Sequence, residues 1–157
     1  MNLEYVANIA EIVGVVLVVV TLVFLTLQIR QNTQALKATT MQAAMQSDME
    51  FAATILAYAA IWDKVLKGEP RAEGEETRRA IILFGNYMTD TESRYHQYRA
   101  GYLETQAWEG RLGTVADFVR LPVMEQWRLS PGGRRRAADF LELLDNLQEK
   151  TISKSRS

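Results

Sequence analysis

The stretch IVGVVLVVVTLVFLTLQI, residues 12–29, decides the fold: 18 consecutive residues without a formal charge, closed off by Glu11 and Arg30. As a helix rising about 1.5 Å per residue it spans about 27 Å, close to the roughly 30 Å hydrocarbon thickness of a bilayer. Val15 through Val20 is apolar on every face, whereas a helix in a soluble core usually keeps a polar stripe. Thr21 and Thr26 suit lipid, because a threonine hydroxyl in a helix returns its proton to a carbonyl one turn back. A cleaved signal peptide would need a basic front end, a shorter apolar region and a small-residue cleavage site. Here Glu4 and Glu11 come first, and the exit reads Leu27-Gln28-Ile29-Arg30-Gln31-Asn32. The reading is a retained transmembrane helix, marked along its length by Ile12, Gly14, Thr21, Phe24 and Ile29.

Orientation follows from the cations, since short flanks rich in Lys and Arg stay cytoplasmic. All of them lie after the span, beginning with Arg30 and Lys37, while only Glu4 and Glu11 carry side-chain charge before it. The N-terminus is expected outside and the rest in the cytoplasm. Three segments are expected: residues 1–30 with the span, 31–150 as one cytoplasmic helical domain, and 151–157 as a loose tail. A chain of this length after the span supports one core and not two. With no cysteine, disulfides, cysteine zinc sites, iron–sulfur clusters and a thiol nucleophile are excluded. A net charge of −1 with interspersed signs offers no basic stripe for nucleic acid.

After the span the chain turns amide-rich and then alanine-rich, with no Gly or Pro until Gly68, so the membrane helix is expected to continue outward. Met41, Met45 and Met49 recur every four residues as one apolar seam. That seam packs either on the protein's own following helices, the ordinary arrangement, or on a neighbouring subunit, where methionine adapts well. Ile55, Leu56, Ala59 and Trp62 extend a similar face after a break near Ser47-Asp48, and Gly68-Glu69-Pro70 ends the helix. A short acidic connection, Arg71 to Glu76, leads to a helix from about Glu75 to Ala100. Ile81, Phe84, Met88, Thr91, Tyr95, Tyr98 and Tyr102 line its inner face. A third helix, about Glu104 to Arg120, carries Trp108, Leu112, Val115, Phe118 and Val119 until Pro122 ends or redirects it. In the last, Ser130 suits the N-cap and Pro131 the first position, with Phe140, Leu141, Leu144 and Leu147 as the buried stripe. No alternating run reads as a strand, so the fold class is all-α: one transmembrane helix continuing into a bundle of about four helices.

Two stretches carry a resemblance. The first is the exit Leu27-Gln28-Ile29-Arg30-Gln31-Asn32-Thr33 into Ala35-Leu36; the second is Tyr95-His96-Gln97-Tyr98-Arg99-Ala100-Gly101-Tyr102-Leu103, followed by Trp108, Trp127 and Phe140. In these scattered positions the chain resembles a widespread family of small, functionally uncharacterised bacterial single-span membrane proteins with a cytoplasmic helical domain. The family often has an aromatic-Glu pair where this chain has Thr91-Glu92, so the glutamate matches and its neighbour departs. The resemblance implies a bacterial membrane-anchored helical protein and no activity, cofactor or catalytic residue.

Read for chemistry, His96 with Glu92 one turn earlier supplies two metal ligands or an acid–base pair, but zinc or di-iron needs three or four converging donors. Glu92 is better read as the partner of an arginine from another helix, and Asp90, Glu92, Arg94 and Arg99 as ion pairs that orient their helix. Tyr87, Tyr95, Tyr98 and Tyr102 are read as core before ligand platform. Gly132-Gly133 lacks the further glycine and lysine spacing of a phosphate loop, and one histidine with scattered serines makes no triad. No cofactor and no enzymatic activity are expected. Arg134, Arg135 and Arg136 crowd the start of the final helix, where the dipole disfavours cations; acidic lipid headgroups, a partner's carboxylates or plain solvation would relieve them.

Three roles remain. The favoured one is a non-catalytic accessory or scaffold subunit of a larger membrane complex, touching lipid and other subunits through Met41, Met45, Met49 and Arg134 to Arg136. The second is a homo-oligomeric pore with Thr21, Thr26 and Gln28 toward its lumen, although such a lumen would have a long dry section. The third is a membrane-anchored sensor whose tyrosine-lined bundle binds a small apolar ligand.

Overall fold

A computed structural model describes residues 2–67 and 74–154. Among these the protein is helical throughout, with seven helices and no strand. α1 (Leu3–Ala57) is a single 55-residue helix, followed by α2 (Ala59–Lys67), α3 (Glu75–Arg99), α4 (Thr105–Phe118), α5 (Pro122–Leu129), α6 (Pro131–Arg134) and α7 (Ala138–Lys154). The chain divides into two units, Met1–Thr39 and Thr40–Ser157.

The first unit is the apolar half of α1. Every residue from Ile12 to Ile29 is exposed, and this is the one helix among the described residues long and apolar enough to cross a membrane. Its threonines satisfy themselves as anticipated: Thr21 Oγ1 donates to Leu17 O and Thr26 Oγ1 to Leu22 O, both at 2.8 Å.

The second unit holds the core. α3 lies at its centre, contacting α2, α4 and α5, and its inner stripe Phe84, Met88 and Thr91 is fully buried. Aromatic rings link the elements: Phe51 meets Trp62 at 5.5 Å and Tyr87 at 5.2 Å, Tyr87 meets Phe118 at 5.1 Å, and Phe84 meets Trp127 at 6.1 Å. A smaller cluster joins Ala44, Leu103 and Trp108, with Tyr98 stacked on Trp108 at 5.7 Å. Tyr95 and Tyr98 are therefore core, while Tyr102 lies beyond α3 and stays exposed.

Several expectations are corrected. α1 runs unbroken through Ser47-Asp48, because both residues have inward partners, and the only interruption is the turn at Tyr58. Leu56 is exposed, while Ile55 and Trp62 pack as expected. Pro122 neither ends nor bends an ongoing helix but opens α5 from its first turn, where a missing N–H costs nothing. Ser130 caps as expected, accepting from Gly133 N at 3.2 Å, but the helix it starts stops after four residues. Two adjacent glycines have little tendency to propagate a helix, and the chain re-enters helix at Ala138. A Cβ on Gly133 would lie 2.1 Å from Trp127 O, so only glycine allows α6 to approach the end of α5. α7 continues through Thr151 to Lys154, and Arg120 Nη2 donates to Thr151 O at 3.1 Å. The expected stop at Gly68-Glu69-Pro70, the first half of the acidic connection (71–73) and the last three tail residues lie outside the described residues.

Candidate functional site

The polar centre of the second unit is built from α1, α3 and α4. Arg94 on α3 directs Nη2 to Asp48 Oδ1 (2.8 Å) and to Ala44 O (2.8 Å), Nη1 to Asp48 Oδ2 (3.1 Å), and Nε to Asp90 Oδ2 (2.7 Å). Arg111 on α4 enters from the other side. Its Nη2 donates to Asp90 Oδ2 (2.6 Å) and Tyr87 O (3.2 Å), its Nε to Thr91 Oγ1 (3.0 Å), and its Nη1 to Asp48 Oδ1 (3.4 Å). Ser47 Oγ completes Asp90 by donating to Oδ1 at 2.8 Å. Two guanidiniums and two carboxylates balance, as they must where Arg94 and Arg111 keep only 7% and 9% of their side-chain surface.

The Arg111 guanidinium also sits 3.7 Å from the centre of the Tyr87 ring, whose electron-rich face favours a cation. Burial pushes the Arg111 value down, opposed by Tyr87 and Asp90. Burial likewise pushes the Tyr87 phenol up, against the pull of Arg111. The phenol oxygen is buried with no partner at hydrogen-bond distance, although the Thr114 hydroxyl, which donates to Gly110 O, is close enough to hold the phenol value down.

Asp90 and Arg94, two of the four residues expected to form ion pairs along this helix, pair with each other one turn apart. Asp48, Ser47 and Arg111 were missed: Ser47-Asp48 was expected to mark a break in the helix rather than to face a partner. The available signal was that Ala44, Ser47, Asp48, Phe51 and Ile55 recur at three and four, a face whose members the structure turns inward. At position 91 the hydroxyl accepts Arg111 Nε, a bond that a phenylalanine could not receive.

Glu92 finds an arginine from outside its own helix. Its Oε2 accepts from Arg136 Nη1 at 2.8 Å, and its Oε1 accepts from the backbone N–H of Ala137 at 2.7 Å, immediately before α7. Arg136 Nη2 also donates to Thr89 Oγ1 at 2.6 Å. Arg136 is thus committed inward, and only Arg134 and Arg135 of the three arginines are exposed. Arg99 pairs with Asp139 on α7. His96 is exposed beside the Tyr95 ring, and Glu92 is spent elsewhere. Among the described residues no group of three or more His, Asp or Glu side chains gathers as metal ligands.

Met41, Met45 and Met49 do not pack on the protein's own helices; they are 37%, 59% and 62% exposed. The neighbouring stripe of Ala44, Ser47 and Asp48, about 100° around the helix, takes the inward position instead. Comparison of the chain with protein-family models, with curated proteins and with solved structures gives no match.

Proposed function

We propose that the protein is a non-catalytic single-pass membrane protein that serves as an accessory or scaffold subunit of a larger bacterial membrane complex. Residues 12–29 cross the inner membrane, and the positive-inside bias of Arg30 and Lys37 sets the N-terminus outside and the helical domain in the cytoplasm. The observation that carries the reading is the exposed methionine stripe on a helix whose neighbouring stripe is already committed to the core. Three methionines in line on one face form a hydrophobic seam fitted to an adaptable contact with another subunit. The exposed Arg134 and Arg135 add a cationic patch for carboxylates of a partner or acidic headgroups. The sequence resemblance to bacterial single-span proteins agrees with this placement. A pore draws less support, since Thr21 and Thr26 spend their hydroxyl protons on their own helix.

The test is purification of the tagged full chain from its native membrane in gentle detergent, with every co-purifying component quantified. Fixed stoichiometry with other membrane proteins is expected. Replacing Met41, Met45 and Met49 together by Gln should lower partner recovery at least about tenfold, given roughly 1.5–3 kcal/mol for each fully buried methionine. Tryptophan fluorescence of the domain should not change. Recovery of the chain alone, or partners retained by the triple variant, overturns the reading.

A further inference from the structure

The groove between α3 and the α5–α6 junction has a volume of about 610 Å³, within the range of small-molecule sites. Ile81, Ile82, Gly85 and Trp127 supply an apolar floor, and Arg78 and Arg136 supply charge. Three observations single it out. First, Trp127 is 1% exposed, yet its indole N–H has no hydrogen-bond partner, an expense that folded proteins rarely leave uncompensated. The Cδ1–Nε1 edge of that indole is what a Cβ on Gly85 would meet, at 3.4 Å, so the orphan N–H lies just beneath the groove wall beside Gly85, closed to solvent. Second, Gly85 is in the interior of α3, where glycine is less favourable than alanine by about 1 kcal/mol. At 3.4 Å a methyl group would be tolerated, so packing alone does not demand glycine. Third, the lining contains two guanidiniums and no carboxylate among the described residues. Arg136 is already paired with Glu92, whereas no ion pair or side-chain hydrogen bond engages Arg78 among those residues.

We propose that this groove binds one anionic amphiphile: its acidic head lies between Arg78 and Trp127, one oxygen pairing with the guanidinium and another taking the Trp127 N–H as the indole edge yields, and its apolar chain lies on the Ile81–Ile82 floor. Arg78 and Gly85 are seven residues apart on one helix face, about 10 Å along its axis, so a single molecule can reach both. The acid can be a free long-chain carboxylate or the phosphate of a lipid headgroup; both present the same chain and charge.

The experiment uses the full chain in phosphatidylcholine nanodiscs and three photoreactive probes with a diazirine on the chain: a dodecanoate, its methyl ester, and a phosphatidylglycerol. Labelled peptides are mapped by mass spectrometry. The dodecanoate, the phosphatidylglycerol or both should label peptides holding residues 81–89 or 127–132, in addition to any labelling of the span. Whichever of the two labels identifies the source of the acid. The methyl ester should label these peptides about tenfold less, and Arg78→Gln should lower the acid's labelling by about the same factor, the loss expected of a charge-assisted bond. Gly85→Leu should abolish labelling by filling the space, and Gly85→Ala should weaken it while leaving the thermal transition in place. Labelling confined to residues 3–39 overturns the proposal. So does equal labelling by acid and ester, or groove labelling unchanged in Gly85→Leu.

Discussion

Replacing Glu92 by Ala tests how the last helix is held. In the folded protein this carboxylate accepts both the Ala137 N–H (2.7 Å) and Arg136 Nη1 (2.8 Å), with side-chain exposures of 14% for Glu92 and 17% for Arg136. The first contact closes an N–H at the start of α7, a role worth about 1 kcal/mol when a capping side chain is removed. The second is a charge-assisted bond worth about 1.5–3 kcal/mol, below the cost of breaking a fully buried pair because both groups still reach water. Arg136 keeps its bonds to Thr89 Oγ1 and Gly132 O, so its charge is not left bare. The sum, about 2–4 kcal/mol, corresponds to a fall in melting temperature of about 5–15 °C for a domain of this size. All three tryptophans, Trp62, Trp108 and Trp127, lie in the second unit, so their fluorescence follows its unfolding in detergent without interference from the apolar segment. Glu92→Gln, which keeps an acceptor for Ala137 and loses the charge, should fall between. A double-mutant cycle with Arg136→Met should return a coupling of about 1–2 kcal/mol. A Glu92→Ala transition within about 1 °C of the parent protein refutes the assignment.

Gly133→Ala should destabilise by about 3 kcal/mol or more, since its Cβ would overlap backbone atoms of Trp127 and Arg128, while Gly132→Ala, facing only Ser130 Oγ at 3.7 Å, should be neutral or mildly stabilising. Similar melting temperatures for the pair would refute the close approach of α6 to α5. Tyr87→Phe removes a buried hydroxyl that has no partner and should be neutral or stabilising by about 1 kcal/mol at pH 7. Because burial raises the folded phenol above its ordinary value of about 10, the parent protein loses stability as pH rises from that value towards the folded one. Urea midpoints against pH should show a shallower alkaline decline in Tyr87→Phe; parallel declines count against a buried Tyr87.

The elements that sequence alone located are those with a strong local signature. The apolar run ending at Arg30 is such a case, as is α3, expected from about Glu75 to Ala100 and found at Glu75–Arg99. Ser130-Pro131 is legible as a helix start for the same reason: a hydroxyl cap and a fixed φ act within one turn. What escaped depends on partners distant in sequence. That the helix begun at Pro131 stops after Arg134 follows from the clash-free approach that Gly133 permits to Trp127, and from Glu92, 45 residues earlier, taking the Ala137 N–H. The Glu92–arginine contact was expected in kind. Which arginine answers it was not. The groove at Trp127 left no trace in sequence, since its orphan N–H and the space beside Gly85 exist only once α3 and α5 pack.

The same dependence explains why the methionine seam faced the unexpected way. Residues 40–57 of α1 can present either the methionines or the Ala44, Ser47, Asp48, Phe51 stripe to α3 and α4, and hydrophobicity alone favours the methionines. Turning the helix by one residue to bury them would withdraw Asp48 from both Arg94 and Arg111. Two nearly buried guanidiniums would then share Asp90 alone, an uncompensated charge costing about 3–5 kcal/mol, and Phe51 would leave its contacts with Trp62 and Tyr87. Part-burying three methionines returns roughly that much at best. The aromatic contacts decide the balance. The charges and the Phe51 contacts together fix the rotation of α1, and the exposed methionines are its consequence: an apolar stripe that the domain cannot bury without breaking its own polar centre.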